Sequence, residues 1–248
     1  MKRIVAGRRA VLEALRAERG SISAVYVDPE ARDALRELIE AARRAGTPIE
    51  DHPRASLDAL AGNVRHQGVI AIGGDYPYID LDALVGGAPS APVFVALDEL
   101  SDPHNFGAIV RSAVALGADG VITMRHRAAP VTPVVVRAAA GATEHARIAR
   151  VTNLAASLVT LRERGLAIVG LDAQGSSRVD ELPAFESGCV LVIGSEGRGL
   201  RRLVRERCDR LTRIELTGPI ASLNASVAAA IALYEVCRRR GGVDGREA

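Results

Sequence analysis

The sequence contains no tryptophan, and aromatic residues make up only 3% of its 248 residues. This scarcity disfavours proteins that bind single-stranded nucleic acid by stacking bases on aromatic side chains. Cys189, Cys208 and Cys237 are odd in number and widely spaced, which argues against a disulfide framework or a zinc site and fits a reducing compartment. No apolar run approaches the roughly 18 residues of a membrane-spanning helix, and residues 1–15 lack the apolar core of a signal peptide. We therefore expect a cytoplasmic protein without a membrane partner.

Lysine is almost absent: Lys2 is the only one, and all other Lys/Arg positions are arginine. A P-loop requires a lysine on the phosphates, and no GxGxxG motif follows a predicted strand, so both common nucleotide-binding loops are excluded. The formal net charge is only +2, so the chain as a whole has no strong basic field. The arginine bias has two interpretations, a GC-rich genome or the use of guanidinium groups to bind phosphates.

Hydrophobic patterning divides the chain into two α/β parts joined by a Gly- and Pro-rich stretch, residues 73–92. The first part is predicted to be a compact sheet with helices on both faces. In the second part, apolar strands without polar alternation are separated by helices, which predicts a parallel sheet covered on both faces. The predicted divisions are residues 1–74, a linker at 75–91, a domain at 92–241 and a flexible tail at 242–248.

The second part has the most regular pattern. Its predicted strands are 93–97, 120–123, 146–148, 167–171, 190–193 and 211–216. Its predicted helices are 107–116, 133–140, 154–163, 201–207 and 222–239.

Three of these strands are each followed by a polar loop and a helix. The loops contribute Asn105, followed by Arg111 on the helix, then Glu196 within a glycine-rich turn, and finally Ser222 and Asn224. Taken singly, these loops have structural explanations, such as a tight turn or Ser222 as a helix cap. Polar groups at the carboxyl ends of parallel strands lie where α/β sheets bind ligands. Together the loops predict one functional site.

These stretches resemble the SpoU (TrmH-like) branch of the SPOUT methyltransferases. The similarity lies in DPHNFGAIVRSA, VLVIGSEGRGL and SLNASVAAAIALYE, in that order, and extends to PVVVRAAAGATEH and VTNLAASL. The first part, from GRRAVLEAL to RHQGVIAI, is similar to the RNA-binding extension of ribosomal RNA 2'-O-guanosine methyltransferases. The resemblance implies a parallel-sheet α/β domain with a trefoil knot, preceded by a small α/β RNA-binding domain of the L7Ae/L30e-like kind. It also implies a homodimer.

The same resemblance implies that S-adenosylmethionine is the methyl donor, that no metal is needed, and that the acceptor is a ribose 2'-hydroxyl of RNA. The closest match is to enzymes acting on a guanosine of bacterial 23S ribosomal RNA. The cofactor-binding residues carried over are Thr123, Met124, Gly194, Glu196, Gly197, Ile214, Leu216 and Leu223. The sequence departs from the family pattern at Glu215, Leu216 and Ala225, where Pro, Met and Val are usual. Glu215 adds a charge near the expected edge of the cofactor.

Family accounts assign Arg111 as the proton acceptor, although a guanidinium group keeps its proton in proteins. We expect Arg111 instead to hold the target phosphate and stabilise the forming alkoxide. Asn105, Ser222 and Asn224 would orient the hydroxyl and the loops, and Glu196 would hold Arg111 or the ribose. The predicted RNA contacts are Arg8, Arg9, Arg65, His66, Arg198, Arg201, Arg202 and Arg205.

Three alternatives stay open at this point. The acceptor could be a transfer RNA, or the chain could be a non-catalytic RNA-binding protein on the same fold. A third possibility is a nucleotide-dependent enzyme that uses residues 194–199 as a phosphate loop. Glu196 argues against this last reading because a carboxylate repels a phosphate.

Overall fold

The computed structural model describes residues 3–17, 22–62 and 64–240. The chain forms two compact units. The first contains Met1–Pro77, Phe106–Arg111 and Pro130–His145, and the second contains Tyr78–Asn105, Ser112–Ala129 and Ala146–Ala248. The division at Pro77 falls inside the predicted linker, whereas the predicted tail, 242–248, lies outside the described residues.

Most predicted elements are present, several with shifted ends. The strands are β1 Arg3–Ala6, β2 Ile22–Val27, β3 Ile49–Asp51, β4 Val69–Gly73, β5 Val93–Leu97, β6 Gly120–Met124, β7 Ile148–Val151, β8 Ala167–Leu171, β9 Ser177–Arg178, β10 Cys189–Ile193 and β11 Arg210–Arg213. The helices are α1 Arg8–Arg16, α2 Arg36–Arg44, α3 Arg54–Ala61, α4 Leu81–Gly86, α5 Pro103–Ala115, α6 Pro133–Ala138, α7 Leu154–Glu163, α8 Arg202–Arg205 and α9 Ala225–Arg240.

The first unit contains a four-stranded sheet in the order β1-β4-β2-β3. β4 runs antiparallel to both β1 and β2, and β3 runs parallel to β2. Val69 and Ala71 of β4 pack in one apolar cluster with α1 and α2, while Ile70 and Ile72 pack in another with α3. Because successive strand side chains point to opposite faces, this alternation confirms a sheet with helices on both faces.

A helical segment from the middle of the chain packs tightly within the first unit. A Cβ added to Gly107 would lie 2.6 Å from the carbonyl oxygen of Val135 and 2.5 Å from the Cβ of Ala138. Such a separation is shorter than real Cβ atoms show, so α5 and α6 can meet here only through a glycine. This contact explains why Phe106–Arg111 and Pro130–His145 group together.

The first unit also contains a buried ion pair. Nη1 of Arg3 lies 3.2 Å from Oε2 of Glu144, and both side chains are almost fully buried. The Thr143 hydroxyl donates to Glu144 at 3.2 Å, and the Tyr76 hydroxyl donates to the Thr143 carbonyl at 2.7 Å. Arg3 therefore links β1, which the sequence patterning missed, to residues 143 and 144, in addition to the packing of the apolar residues of β1.

Burial raises the pKa of the Glu144 carboxyl above its ordinary 4.5, while Arg3 and the Thr143 hydrogen bond act in the opposite direction. A carboxyl with a raised folded-state pKa stabilises the fold fully below its unfolded-state pKa, and that contribution is lost as the pH rises through the folded-state pKa. We therefore expect the stability of the wild type, relative to Glu144→Gln, to fall as the pH rises above 4.5. Urea unfolding midpoints across this range measure the difference, and a constant difference at every pH would contradict the prediction.

The second unit is built on a seven-stranded sheet in the order β7-β6-β5-β10-β8-β11-β9. Every pairing is parallel, which confirms the sheet predicted from the apolar strands. Phe94, Ile122, Leu158, Ile168 and Val190 are among the fully buried side chains of its core. Within the described residues, no helix is long and apolar enough to cross a membrane.

Two predicted strands of this sheet have different positions. The strand expected at 146–148 is β7, which begins at Ile148, because its pairing with Val121 of β6 sets the register. The strand expected at 211–216 ends at Arg213. Residues 214–216 leave the sheet, and Ile214 and Leu216 line a cavity instead.

Candidate functional site

The strand order of the second unit reverses direction between β5 and β10. In the sheet, β6 and then β7 lie beside β5 on one side, while β8 and then β11 lie beside β10 on the other side. β5 and β10 pair with Leu97 beside Ile193, so the loops after them leave the same edge of the sheet and diverge. Open α/β sheets bind ligands at such switch points. The predicted loops containing Asn105 and Glu196 are these two loops.

Three side chains from the three predicted loops meet in one hydrogen-bonded network. The Asn105 amide donates to Oε1 of Glu196 at 2.8 Å. The Asn224 amide donates to the same oxygen at 2.7 Å and to Oδ1 of Asn105 at 3.0 Å. Asn105 is buried, whereas Glu196 and Asn224 are exposed. The network joins loops that are far apart in the chain.

Asn105 is held in place by the start of α5. The Asp102 carboxylate accepts from the backbone N–H groups of His104 and Asn105 at 3.2 and 3.1 Å, and Pro103 occupies the first helical position. Both features favour a helix start. The helix therefore begins at Pro103 rather than at residue 107, and Asn105 lies in its first turn.

Asn224 is the residue that precedes α9. Its Oδ1 accepts hydrogen bonds from the backbone N–H and the hydroxyl of Ser226 at 2.9 and 2.6 Å. Its amide nitrogen donates the hydrogen bonds to Asn105 and Glu196 described above. The helix predicted at 222–239 therefore begins three residues later, at Ala225, and a capping role does not account for Ser222. Ser222 lies in the preceding exposed loop and lines the cavity described below.

The loop that contains Glu196 closes on itself. Backbone hydrogen bonds join Ser195 and Gly199 in both directions, at 3.2 and 2.9 Å. Gly197 and Gly199 have φ angles of +76° and +64°, a left-handed conformation that favours glycine. Gly194 packs directly against the Gly199 carbonyl group. The backbone of residues 195–199 is therefore a tight turn, with Glu196 in its first half.

Asp98 and Arg201 fix the far end of this loop. Asp98 is fully buried at the end of β5 and accepts from the backbone N–H and Nε of Arg201 at 2.8 and 2.7 Å. The guanidinium group also lies 2.9 Å from Oε1 of Glu99 and donates to the Met124 sulfur at 3.3 Å. Sequence reasoning placed Arg201 among the RNA contacts, but its side chain is already engaged by these groups.

Substituting Gly194 by alanine tests the importance of this tight loop. The new Cβ would overlap the backbone carbonyl of Gly199, so the loop must open. Overpacking of this kind costs about 1–3 kcal/mol. If the loop must return to its closed form to bind the cofactor, this cost corresponds to an affinity about 5- to 150-fold weaker. Titration calorimetry with S-adenosylmethionine measures this affinity. Gly86→Ala, whose Cβ meets no atom within 4 Å, is the control, and equal affinity in the two variants would contradict the prediction.

A cavity of about 510 Å³ lies at the carboxyl edge of the sheet. It is lined by Leu171, Asp172, Ala173, Ile193, Gly194, Ser195, Glu196, Gly197, Gly199, Ile214, Leu216, Ala221, Ser222, Leu223, Asn224, Ala225 and Ala228. This volume lies within the range of small-molecule and cofactor pockets. Its apolar side chains suit an adenine ring, its glycines allow close backbone approach, and two carboxylates suit a cationic ligand. The residues present fit S-adenosylmethionine.

Not all predicted cofactor residues line this cavity. Six do: Gly194, Glu196, Gly197, Ile214, Leu216 and Leu223. Thr123 and Met124 are buried at the end of β6 and are absent from the lining. Leu171, Asp172 and Ala173 line the cavity but were missed, although Leu171 ends a predicted strand and the other two follow it at the same sheet edge. Glu215, the departure from the family pattern, pairs with Arg213 at 3.1 Å.

A second cavity, of about 350 Å³, shares a wall with the first. It is lined by Glu99, Leu100, Ser101, Asp102, Asn105, Arg127, Ser195, Glu196 and Arg198. Ser195 and Glu196 line both cavities. The arrangement therefore offers two adjoining compartments with one carboxylate between them.

The predicted basic residues differ in their accessibility. Arg8, Arg9 and Arg65 of the first unit are exposed, as are Arg198 of the second unit and Arg111 on α5. Arg202 and Arg205 form ion pairs with Glu206 and Asp172.

His66 is different, because its side chain is only 4% exposed. Its ring nitrogens contact Asp58 at 2.9 Å and the backbone N–H of Gly68 at 3.1 Å. The RNA contact predicted for His66 does not fit this burial, since the ring shapes the turn before β4. Among the described residues, no cluster of three or more His, Cys, Asp or Glu side chains has a metal-binding arrangement.

Comparison with family models covers both halves of the chain. Residues 92–234 match the model described as the SpoU rRNA Methylase family. Residues 4–79 match the model described as RNA 2'-O ribose methyltransferase substrate binding.

Individual proteins give the same result. The chain is 41% identical over 242 residues to YacO of Bacillus subtilis (strain 168), which carries the name TrmH family tRNA/rRNA methyltransferase, and the alignment covers 96% of both chains. It is similar to the SpoU methyltransferase AviRb from Streptomyces viridochromogenes in complex with AdoMet, with a TM-score of 0.82, 30% identity and coverage of 97% and 91%. An AdoMet-bound rRNA methyltransferase from Sinorhizobium meliloti gives a TM-score of 0.80, 25% identity and coverage of 96% and 87%.

Proposed function

The chain belongs to the SpoU rRNA methylase family of S-adenosylmethionine-dependent RNA methyltransferases, and we propose that it methylates a ribose 2'-hydroxyl of RNA. The acceptor we propose is a guanosine of bacterial 23S ribosomal RNA. An enzyme acting on this RNA works where ribosomes are assembled, so we place it in the cytoplasm. The main observation behind the proposal is that two adjoining cavities at the switch point of the sheet are both lined by Glu196.

In this account the larger cavity holds S-adenosylmethionine and the second cavity receives the acceptor ribose. The bound cofactor supplies an activated methyl group on a sulfonium. Holding the two reactants in adjoining compartments converts a bimolecular reaction into an effectively intramolecular one, which lowers the barrier substantially. Asn105 and Asn224 fix the loops that form the shared wall. Ser222 lines the larger cavity, and we propose that it helps to orient the reactants.

The exposed arginines suggest how RNA is held. We propose that Arg8, Arg9 and Arg65 of the first unit contact phosphates, as does Arg198 at the second cavity. A guanidinium group matches the geometry of a phosphate through paired hydrogen bonds. Arg111 would contact the phosphate of the target nucleotide and stabilise the forming alkoxide. The family match of residues 4–79 to a substrate-binding model supports an RNA role for the first unit.

We also propose that the protein is a homodimer and that its methyltransferase domain contains the trefoil knot. For the dimer, α9 provides support, since Val227, Ile231 and Tyr234 are 48%, 38% and 56% exposed. Their spacing of four and three residues places them on one helix face, and apolar side chains exposed on one face of a helix suit packing against a second copy of the chain. Light scattering should give twice the monomer mass, and Ile231→Asp should halve it. A monomeric wild type would contradict this assignment.

Label transfer identifies the RNA class. The protein is incubated with methyl-labelled S-adenosylmethionine and, separately, with bacterial 23S RNA, 16S RNA and transfer RNA, all lacking this modification. Label in 23S RNA is the expected result. Label confined to transfer RNA would keep the reaction and overturn the assigned substrate, and binding of RNA and cofactor without transfer would favour a non-catalytic RNA-binding protein.

A further inference from the structure

A cavity of about 230 Å³ lies within the first unit and shares no lining residue with the two cavities of the second unit. Its walls are formed by α1, by the 3₁₀ helix Pro29–Leu35 and by α2. Leu35 and Leu38 are buried and Leu12 is partly buried, so the floor of the cavity is apolar. Such a floor suits the flat face of a nucleobase, whereas a phosphate buried against it would lose its hydration.

The cavity also has a basic wall. Arg8 and Arg9 line it, and both residues are exposed. Within residues 3–17, 22–62 and 64–240, neither guanidinium group is paired with a carboxylate. Two such groups beside an apolar floor can hold the phosphates on either side of a bound nucleobase.

Arg8 is held in place by the turn before β4. Its backbone N–H donates to Oε1 of Gln67 at 3.1 Å, and its Nε donates to the Gln67 carbonyl at 3.4 Å. Gln67 has a φ angle of +54°, which is uncommon for a residue with a Cβ. The buried His66 ring, which contacts the backbone N–H of Gly68, holds the residues on both sides of it. Strained backbone of this kind is concentrated at sites that bind ligands, so this turn supports a binding role for Arg8.

Glu37 is the acidic residue of the lining, and it distinguishes a base from a phosphate. A carboxylate repels a phosphate but accepts hydrogen bonds from N–H groups. Nη2 of Arg16 donates to Oε1 of Glu37 at 2.7 Å, which uses one of the carboxylate's roughly four acceptor positions. Guanine offers two adjacent donors, N1–H and its exocyclic amino group. Uracil offers one N–H between two carbonyl oxygens, which a carboxylate repels.

Resting on the function proposed above, we propose that this cavity binds an unpaired guanine base of the substrate RNA. The apolar floor contacts the base, Glu37 accepts from its N–H donors, and Arg8 and Arg9 contact the flanking phosphates. Proteins read RNA sequence mainly through unstacked bases of this kind. The cavity lies within residues 4–79, which match a substrate-binding model. The bound guanine is a recognition nucleotide, because the acceptor ribose is assigned to the second unit.

Fluorescence anisotropy with the full chain tests the base preference. The probes are short labelled RNA strands of uridines with a central guanosine, inosine or uridine, and inosine lacks only the exocyclic amino group of guanosine. The wild type should bind the guanosine probe about tenfold more tightly than the inosine probe, the effect of one hydrogen bond to a charged group.

Glu37→Gln should reduce this preference to about threefold or less, because a bond to a neutral acceptor is roughly half as strong. Glu40→Gln changes an exposed residue of the same helix that does not line the cavity, and it should retain the full preference. Ala34→Leu fills the cavity from an exposed position. It should abolish the preference and leave the thermal midpoint unchanged.

Arginine variants separate phosphate contacts from base recognition. Arg9→Ala should weaken all three probes by the same factor, because a phosphate contact contains no information about the base. Arg54→Ala removes an exposed arginine from α3, on the opposite face of the sheet, and should leave all three affinities unchanged. Arg198→Ala, at the second cavity, should retain the guanosine preference.

Four results would overturn the proposal. The first is equal wild-type affinity for the guanosine and inosine probes. The second is a preference that persists in Glu37→Gln and Ala34→Leu, and the third is its loss in Arg198→Ala, which would place base recognition at the second cavity. The fourth is an equal loss of affinity in Arg54→Ala and Arg9→Ala, which would indicate diffuse charge. A wild type that shows the preference but transfers no methyl group to any RNA would instead overturn the proposed function, so the two failures are distinguishable.

Discussion

Replacing Arg111 by alanine is expected to lower methyl transfer by about 100- to 1000-fold, the usual effect of removing one preorganised donor to developing negative charge. The Arg111 side chain is exposed on α5 and lines neither cavity, so its proposed contact is with the phosphate of RNA bound outside them. Cofactor affinity should therefore be unchanged. Single-turnover rates with saturating RNA measure the chemical step, and calorimetry measures cofactor binding separately.

Two further variants sharpen the Arg111 test. Arg111→Lys retains the positive charge but loses the planar pair of donors, so it should recover only part of the activity. Arg162→Ala removes a partly exposed arginine on α7 that pairs with Asp209, and it should behave as wild type. Turnover in Arg111→Ala close to that of Arg162→Ala would contradict any role for Arg111 in the reaction.

Removal of the Asp98 carboxylate is expected to cause the largest loss of stability. Asp98 is fully buried and holds both the backbone and the guanidinium group of Arg201. Removing one partner of a buried ion pair costs about 3–5 kcal/mol because the other charge is left uncompensated. Since the Arg201 side chain is 32% exposed and also pairs with Glu99, we expect the lower end of that range for Asp98→Ala.

Thermal unfolding measures this effect. A loss of about 3 kcal/mol corresponds to a fall of about 6–12 °C in the midpoint for a chain of this size. The loop at 194–200 is tethered through Arg201, so cofactor affinity should fall as well. Glu206→Ala, which removes a largely exposed partner of Arg202 in α8, is the control. An unchanged midpoint in Asp98→Ala would show that the buried pair is not a net contributor.

Apolar patterning was sufficient to predict the parallel sheet. Strands β5, β8 and β10 are fully or nearly fully apolar, and such strands require cover on both faces. β1 was missed because it is a four-residue strand whose pairing partner, β4, lies more than 60 residues away. Local pattern contains no information about that pairing. Strand order is likewise absent from the pattern, and yet it is the strand order that creates the switch point.

The loops that form the site were predicted, but the hydrogen bonds between them were not. The three loops were identified from polar residues after strands, whereas the network through Oε1 of Glu196 depends on tertiary structure. Both Ser222 and Asn224 are suitable cap residues, and only the position of α9 decides between them. Composition also cannot distinguish an exposed arginine such as Arg198 from Arg201, which Asp98 and Glu99 engage.

Asp172 was not predicted as a site residue, although its position after a predicted strand indicated that it could be one. It directly follows β8, at the same edge of the sheet as Glu196, and lines the larger cavity. The rule that ligands bind at the carboxyl ends of parallel strands applies to it as well as to the loops that were selected. It lacks a recognisable motif, and for that reason motif-based reasoning passed over it.

We propose that the two adjoining cavities hold the reactants for methyl transfer to a ribose hydroxyl rather than to a base. The most direct measurement is mass spectrometry of nucleosides after reaction of unmodified 23S RNA with isotopically labelled S-adenosylmethionine. We expect label on the ribose of a 2'-O-methylated guanosine, and this label should remain on the sugar when the base is cleaved from it. Label that leaves with the free base would contradict it.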